Sequence, residues 1–557
     1  MPHSSRLCAC FLYFFGMTAL AIAGSVAAPE LPRARVDTTL SIPSSAPIRS
    51  VKAGQDFKAA LAAAQPGDVI ELEAGATFYG SFTLPMKSGS DWIYIRSSAH
   101  ASLPPAGQRV TPAHASLMPK IVTQKAVPSI TAASGAHHYR FIGIEIATES
   151  ALNYNLVLLG SSETLLANLP HHLIFDRCYI HARPTDSTQR GIGLNSAESA
   201  VIDSYISDIH EAGFDTQAVG GWNGSGPYKI SNNYLEASGE NVMFGGADPK
   251  IPNLVPSDIE ITSNYMAKPL SWYVKDPSYA GHHWTVKNLF ELKNAQRVLI
   301  QGNILENCWG DAQTGFAILF TPRGGAAPWT TVADITLRNN IIRHVGSGIS
   351  LLGMDDGHVS QRVQRLVISN NLMDDIDGAQ FSSSGRIFQL TAPNKPNAAA
   401  LDIEMAHNTC VYGSAGNGFI TAGDTVPVID RFVFRDNLTN RGQYGLHGSG
   451  QAEGTGTLNH YFLNWAFMKN AIFGGSGSGT NYPADNFFAK NIAQVQFVDS
   501  AAGNYRLAAS SPYRNAASDG SDIGVNMDVI EKSTAGCISG VWPVSASASH
   551  TAKRMVP

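Results

Sequence analysis

Charge is scarce in this chain of 557 residues: Asp, Glu, Lys and Arg together make up 15%, against about 25% in ordinary soluble proteins. That scarcity argues against coiled coils, long surface helices and charged disordered tails. The formal net charge is −5 and there is no run of Lys or Arg, so the electrostatic footprint of a nucleic-acid binder is missing. Cysteine is scarce too: beyond Cys8 and Cys10 there are only Cys178, Cys308, Cys410 and Cys537. They are far apart and lack CxxC spacing, which implies neither a disulfide framework nor a zinc site. There is no GxSxG elbow, Walker loop, dinucleotide fingerprint or HExxH, so esterase, nucleotide and zinc-protease chemistry have no anchor. Past the first residues no apolar run is long enough to span a bilayer.

Turn formers are plentiful instead, with 52 glycines and 29 prolines, and hydrophobic residues reach 44%. At the start, Arg6 precedes an apolar run from Leu7 to Ala23, and Val26-Ala27-Ala28 supplies small residues before Pro29. This pattern predicts a secretory signal over 1–28, with an N-terminal anchor as the alternative. The mature protein is then expected to be secreted or periplasmic, monomeric and free of the membrane. It would consist of an extension (29–50), one large domain (51–530) and a C-terminal tail (531–557).

The large domain repeats. Short apolar-alternating segments end in a polar turn at Cys178, Ser204, Asn233, Asn264, Asn303, Asn340, Asn371, Asn408 and Asn437, spaced 26, 29, 31, 39, 37, 31, 37 and 29 residues apart. Each unit is too short and too β-rich to bury a face alone, so the units must stack into a solenoid. Period-two patterning with no amphipathic helix between strands excludes a βαβ sheet, and uneven spacing excludes a propeller. A β-sandwich with Asn-rich hairpins is the alternative, disfavoured by linkers longer than hairpin loops. Recurring Asn fits a left-handed turn residue and a stacked amide ladder. A second strand recurs in each unit, as at Gly191–Leu194, Asn241–Phe244, Asn288–Leu292, Gly315–Phe320, Gly348–Leu352 and Ile387–Leu390. The core stack is expected to contain Ile174, Ile202, Ile230, Ile261, Ile300, Leu337, Ile368, Met405 and Phe434. Phe57, Ala60, Leu61 and Ala64 share a helix face that would cover the open end, stopped by Pro66-Gly67-Asp68. The Gly/Ser tract 474–479 reads as a flexible loop.

The Asn-ended units, the leader Gly54-Gln-Asp-Phe-Lys-Ala-Ala-Leu61 with Gln65-Pro-Gly-Asp-Val-Ile-Glu-Leu72, and the tail Gly503-Asn-Tyr-Arg-Leu507 with Ser511-Pro512 and Asp522-Ile-Gly524 resemble secreted right-handed parallel β-helix proteins of the pectin-lyase-like group. The resemblance runs over nearly the whole mature chain. It implies an all-β, single-stranded right-handed parallel β-helix with an N-terminal capping helix. It leaves the reaction open, since the group holds lyases, hydrolases, epimerases and adhesins.

Coils in such a solenoid lie about 4.8 Å apart, so residues at one register become lateral neighbours. Following the second strand, Asp248, Lys293, Arg323, Asp355 and Asp356 would line one edge of four consecutive coils, with Glu291 pointing outward beside them. An ordinary ion-pair ladder is the plain alternative. The leading expectation is a polysaccharide lyase acting on a uronate-containing glycan by β-elimination. Lys293 would be the base, its pKa lowered by a nearby cation, and Arg323 would hold the carboxylate. The pair is similar to the Lys and Arg of β-helical chondroitinase and alginate lyases. Asp248, Glu291, Asp355 and Asp356 could hold Ca²⁺. Trp272, Tyr273, His282, His283 and Trp284, with Lys287 and Asn288, are candidate sugar contacts, aromatic faces being suited to stacking on sugar rings; the alternative is that the aromatics pack down over the coil. A hydrolase using Asp248 with Asp355 or Asp356, and a noncatalytic glycan binder, are the rival classes.

Overall fold

The computed structural model describes residues 26–475 and 479–543. Three long parallel sheets of 15, 14 and 12 strands run the length of the molecule, and within each the strands follow in chain order. One coil illustrates the unit: Ser257–Thr262 in the first sheet, a corner at Asn264, Tyr265–Ala267 in the second sheet, Phe290–Leu292 in the third, then Ala295–Gln301 back in the first. This is a single right-handed parallel β-helix. The expected second strands form the third sheet. The strands of the second sheet begin directly after the corner and are too short, at three residues in Tyr265–Ala267, to show a period in sequence.

Ile230, Ile261, Ile300, Leu337, Ile368, Met405 and Phe434 pair in one register and are fully buried, as expected. In the two earlier coils the inward places belong to Phe175 and Val201, not to Ile174 and Ile202. Those two isoleucines point outward and are covered by Val36 and Trp92. Because the side-chain period is two, a one-residue slip exchanges the faces. The corner fixes the count: the inward residue stands three before the ladder position.

The corner carries an amide ladder. Asn264 Nδ2 donates to Asn303 Oδ1 at 3.0 Å and to Ile230 O at 2.9 Å, while Asn303 Oδ1 also accepts the backbone N–H of Asn264 at 2.9 Å. The pattern continues through Asn340, Asn371, Asn408, Asn437 and Asn470 to Asn486. The ladder residues themselves do not take the left-handed conformation; from Asn233 to Asn470 the residue before each one does, as at Asn232, Ser263, Asn339, Asn370 and His407. That preceding turn frees the amide to point inward along the stack.

The chain itself covers the first coils and straps the sides. Helix Phe57–Ala63, N-capped by Asp56, buries Phe57 and Leu61 against the first coils. Ahead of it the extension lies across the first sheet. The N–H groups of Ala27, Glu30 and Arg33 donate to Asp402, Asp334 and Asp258 at 2.9, 3.1 and 2.9 Å. Three extended residues advance about 9 Å, the height of two coils. The parallel strands end at Phe487–Ala489, short of the expected boundary at 530. The remaining chain runs back along the corner, meeting Asp436 through Ser518, Asn370 through Asn526, Gly302 through Cys537 and Asn232 through Trp542. Residues 531–543 are therefore packed structure rather than a tail. Residues 1–25 of the expected signal, the centre of the Gly/Ser tract at 476–478, and residues 544–557 lie outside the described residues. The four later cysteines are free and buried. Among the described residues no helix is long and apolar enough to cross a membrane.

Removing one ladder amide leaves two buried N–H donors of its neighbour unsatisfied, at about 1–3 kcal/mol each. Asn303→Ala is expected to lower the stability measured by urea unfolding by about 3 kcal/mol, with Asn394→Ala, at an exposed loop position, nearly neutral. Equal stability of the two variants would contradict the ladder's role.

Candidate active site

On the third sheet the inward row is Ile192, Val219, Val242 and Phe290. Two residues before each, at the strand's entrance, stand Arg190, Gln217, Glu240 and Asn288, one per coil. Gln217, Glu240 and Asn288 are fully buried. Gln217 Nε2 donates to Glu240 Oε2 at 2.7 Å. Yet Gln217 Oε1, Glu240 Oε1 and Asn288 Oδ1 have no protein donor, three buried acceptors on consecutive coils. Their only protein hydrogen bonds run through the other side-chain atoms, Gln217 Nε2 to Glu240 and Asn288 Nδ2 to Glu291.

Glu291 stands on the outer face beside this row. It accepts hydrogen bonds from Thr321 Oγ1 at 2.6 Å and Asn288 Nδ2 at 3.1 Å, and pairs with Lys293 Nζ at 3.4 Å. Glu240 has only the one amide. Burial first, and then the charges of Glu291 and Asp215, push its pKa up to about 7, with Lys293 opposing. Two carboxylates in one cluster thus differ in what holds them. The turn that delivers Glu240 is clamped by the buried Lys268, whose ammonium donates to the carbonyls of Ala237, Ser238 and Gly239 at 2.8, 3.0 and 2.6 Å. Burial brings that lysine down to about 8. At the edge, Lys287 pairs with Asp215, and the Arg190 guanidinium lies 5.0 Å over the Trp222 ring with its Nε unpartnered.

The expected site residues are divided by the structure. Lys287, Asn288, Glu291 and Lys293 come together here. Arg323 is next to Lys293 along the backbone, its N–H donating to Lys293 O at 3.1 Å. The side chains part: Lys293 turns back to Glu291, whereas Arg323 turns forward to Asp356 and, at 3.6 Å, Asp355. Nor is Lys293 a lysine of lowered pKa. Burial acts downward, but Glu291, Glu240 and Asp215 outweigh it and hold the ammonium above its ordinary range.

The four carboxylates expected to hold Ca²⁺ each have partners of their own in the chain. Asp355 is saturated by the N–H groups of Gly324, Gly357 and His358, which overcome burial and lower its pKa. Asp356 holds Arg323, and Asp248 accepts the N–H of Ala326 at 2.9 Å. Glu291 belongs to the cluster above. Asp355 thus caps the turn Gly357–His358 and the backbone of Gly324.

Trp272, Tyr273 and Trp284 pack down, as the alternative reading has it, in a satellite core with Val286, Trp309 and Phe381. Tyr273 is further tied to Gln380 O at 2.8 Å. The edges of Trp272 and Trp284, with His282, border a separate cleft of about 320 Å³ over the second sheet. His283 is exposed and pairs with Asp311 at 2.7 Å. Arg190, Gln217 and Glu240 were not anticipated. Counting two residues back from each inward apolar residue of the second strand would have found them.

No family model matches the chain, and no curated protein matches it. Among solved structures it is similar to a PL6 family alginate lyase, AlyGC (13% identity, 89% of this chain and 59% of that one, TM-score 0.43). It is also similar to the catalytic unit of a GH87 α-1,3-glucanase from Streptomyces thermodiastaticus (12%, 82% and 69%, TM-score 0.45). Pectate lyase Pel9A is a third (15%, 86% and 95%, TM-score 0.35). The chain spans less than two thirds of the alginate lyase's length. At these identities the likeness says nothing of activity; the parallel β-helix itself is read from the sheets of the chain.

Glu240 has a folded pKa of about 7 above its ordinary 4.5, so between these values the folded state binds more protons than the unfolded one. Stability then falls as pH rises through that window. Glu240→Gln abolishes the titration, and the variant is expected to melt at the wild-type temperature near pH 4.5 and increasingly above it toward pH 7, levelling beyond. A difference that does not change with pH would show that Glu240 titrates normally.

Proposed function

We propose that this protein is a carbohydrate-active enzyme that cleaves glycosidic linkages by acid–base chemistry on the outer face of the third sheet. Glu240 is the residue that transfers the proton, and Glu291 is its charged partner. The observation that carries this reading is the pair itself, two buried carboxylates on adjacent coils with different surroundings. One keeps a free oxygen and titrates near neutrality. The other is committed to three donors. A carboxyl group held up by burial beside one committed to hydrogen-bond donors suits a proton-transferring residue and its partner. The long open face of a solenoid suits a polymeric substrate, and the export signal expected at 1–28 would take the enzyme to extracellular polymers.

In hydrolysis, the Glu240 acid protonates the leaving glycosidic oxygen while the Glu291 carboxylate serves the attacking side. Gln217 and Asn288, buried beneath the face, position the two carboxyl groups through their amide N–H groups. A second reading is favoured by the cations around the pair. Arg190, Lys287 and Lys293 suit a uronate carboxylate, and β-elimination would then use Glu240 rather than Lys293 as the base.

The test is a panel of acidic and neutral polysaccharides incubated with wild type and Glu240→Gln. Cleavage by wild type is expected, with saturated reducing ends for hydrolysis or an ultraviolet-absorbing double bond for elimination. Glu240→Gln is expected to lose about 10²–10⁴-fold in rate while remaining folded. Absence of cleavage on every polymer, or a variant keeping more than a tenth of the rate, would refute the proposal.

A further inference from the structure

Far from this face, the sequence places His137-His138 and His171-His172 one coil apart, at the entrance to the first sheet. His137 and His171 pair in register, so the four imidazoles meet as two stacks. The rings of His137 and His171 lie 4.8 Å apart and those of His138 and His172 4.3 Å apart, each pair at 14°. Within each doublet the two Nδ1 atoms approach to 2.8 Å and 2.7 Å. Two lone pairs cannot face each other at that distance. Either a proton or a cation must sit between them.

The same position in later coils shows what is unusual here. His138 and His172 have left-handed backbone, and so do Asp258, Arg297, Asp334, Arg365, Asp402 and Arg431 at the equivalent place. Those six alternate in sign, and each arginine pairs with the aspartate of the coil before it. In the first two coils the alternation is replaced by like stacked on like. Glu198, the next residue in the row, pairs with His172 Nε2 at 2.8 Å. A carboxylate on one ring nitrogen fixes the tautomer and leaves the other, Nδ1, with its lone pair. Trp92 closes the other side, its ring edge-on to His138 at 5.2 Å.

From this arrangement we infer that His138, His171 and His172 form a binding site for one divalent transition-metal ion of the zinc–copper–nickel class, with Glu198 as the carboxylate that orients His172. One nitrogen from each of the three histidines lies within 4.8 Å of the others. Tetrahedral zinc with bonds of about 2.0–2.1 Å separates its ligand nitrogens by about 3.4 Å, a closure that small side-chain rotations supply. Imidazoles without thiolate select this class of ion over Ca²⁺ or Mg²⁺. The site is on the first sheet, away from Glu240, and does not depend on the proposed activity.

The experiment is calorimetric titration of the untagged protein with Zn²⁺. One equivalent is expected to bind with micromolar or tighter affinity, weakened at least tenfold in His138→Ala and in His172→Ala and unchanged in His460→Ala, an exposed histidine elsewhere. Glu198→Gln, at a surface position that the fold does not need, is expected to weaken binding by about tenfold or more. No bound equivalent in wild type, or full affinity in both histidine variants, would overturn the assignment.

Discussion

The side-chain amide at each coil's corner is the constraint from which the remainder of this molecule follows. A parallel coil has no hairpin to set its register; it is free to slide until something inside it is directional. The Asn ladder supplies that direction, because each Oδ1 accepts two N–H groups from the coil before and each Nδ2 donates both to the next Oδ1 and to a main-chain carbonyl. Buried amide groups without such partners are costly, so a slipped coil would lose several hydrogen bonds at once. With the corner fixed, the inward rows align, and so do the outward ones. That alignment brings Glu240 beside Asn288 although 48 residues separate them in the chain.

Much of this was legible. The turn positions, their spacing and the leading helix can be read from the sequence because each rests on a local rule: period two along a strand, a capped amphipathic turn, an amide at a fixed place. The face assignment of Ile174 and Ile202 failed where the ladder position is not Asn but Cys178 and Ser204, so that the reference point was weaker there. The second sheet was hidden because strands of a few residues carry no period. The two straps were hidden for another reason. Their partners, such as Asp402 for Ala27 and Asn232 for Trp542, lie hundreds of residues away, and neither segment has a pattern of its own.

The site was legible only in part, and the division is instructive. Counting forward from the strand's end put Lys293, Arg323, Asp248 and Asp355 on one edge, which is true of their backbones. It could not say where long side chains turn. Arg323 reaches toward the following coil and Lys293 lies back against its own strand. Counting backward to the strand's entrance gives the better row, since the short and buried side chains of Gln217, Glu240 and Asn288 have little choice of direction.

A buried carboxylate that titrates near neutrality is a strained element, for its charged form lacks enough donors. Such a group persists only where the surrounding structure holds it firmly in place. The β-helix provides that hold. Its core is the continuous inward stack, its register is held by the corner, one end is covered by a helix, and straps from both termini run along its sides. The outer face of the third sheet takes no part in any of these. Glu240 is fixed there by neighbours that are themselves anchored, Gln217 on the preceding coil and the Lys268 clamp on the turn before it. The outward rows can therefore differ from coil to coil, as alternating Asp and Arg, paired histidines or a polar quartet, while the inward rows and the ladder stay the same.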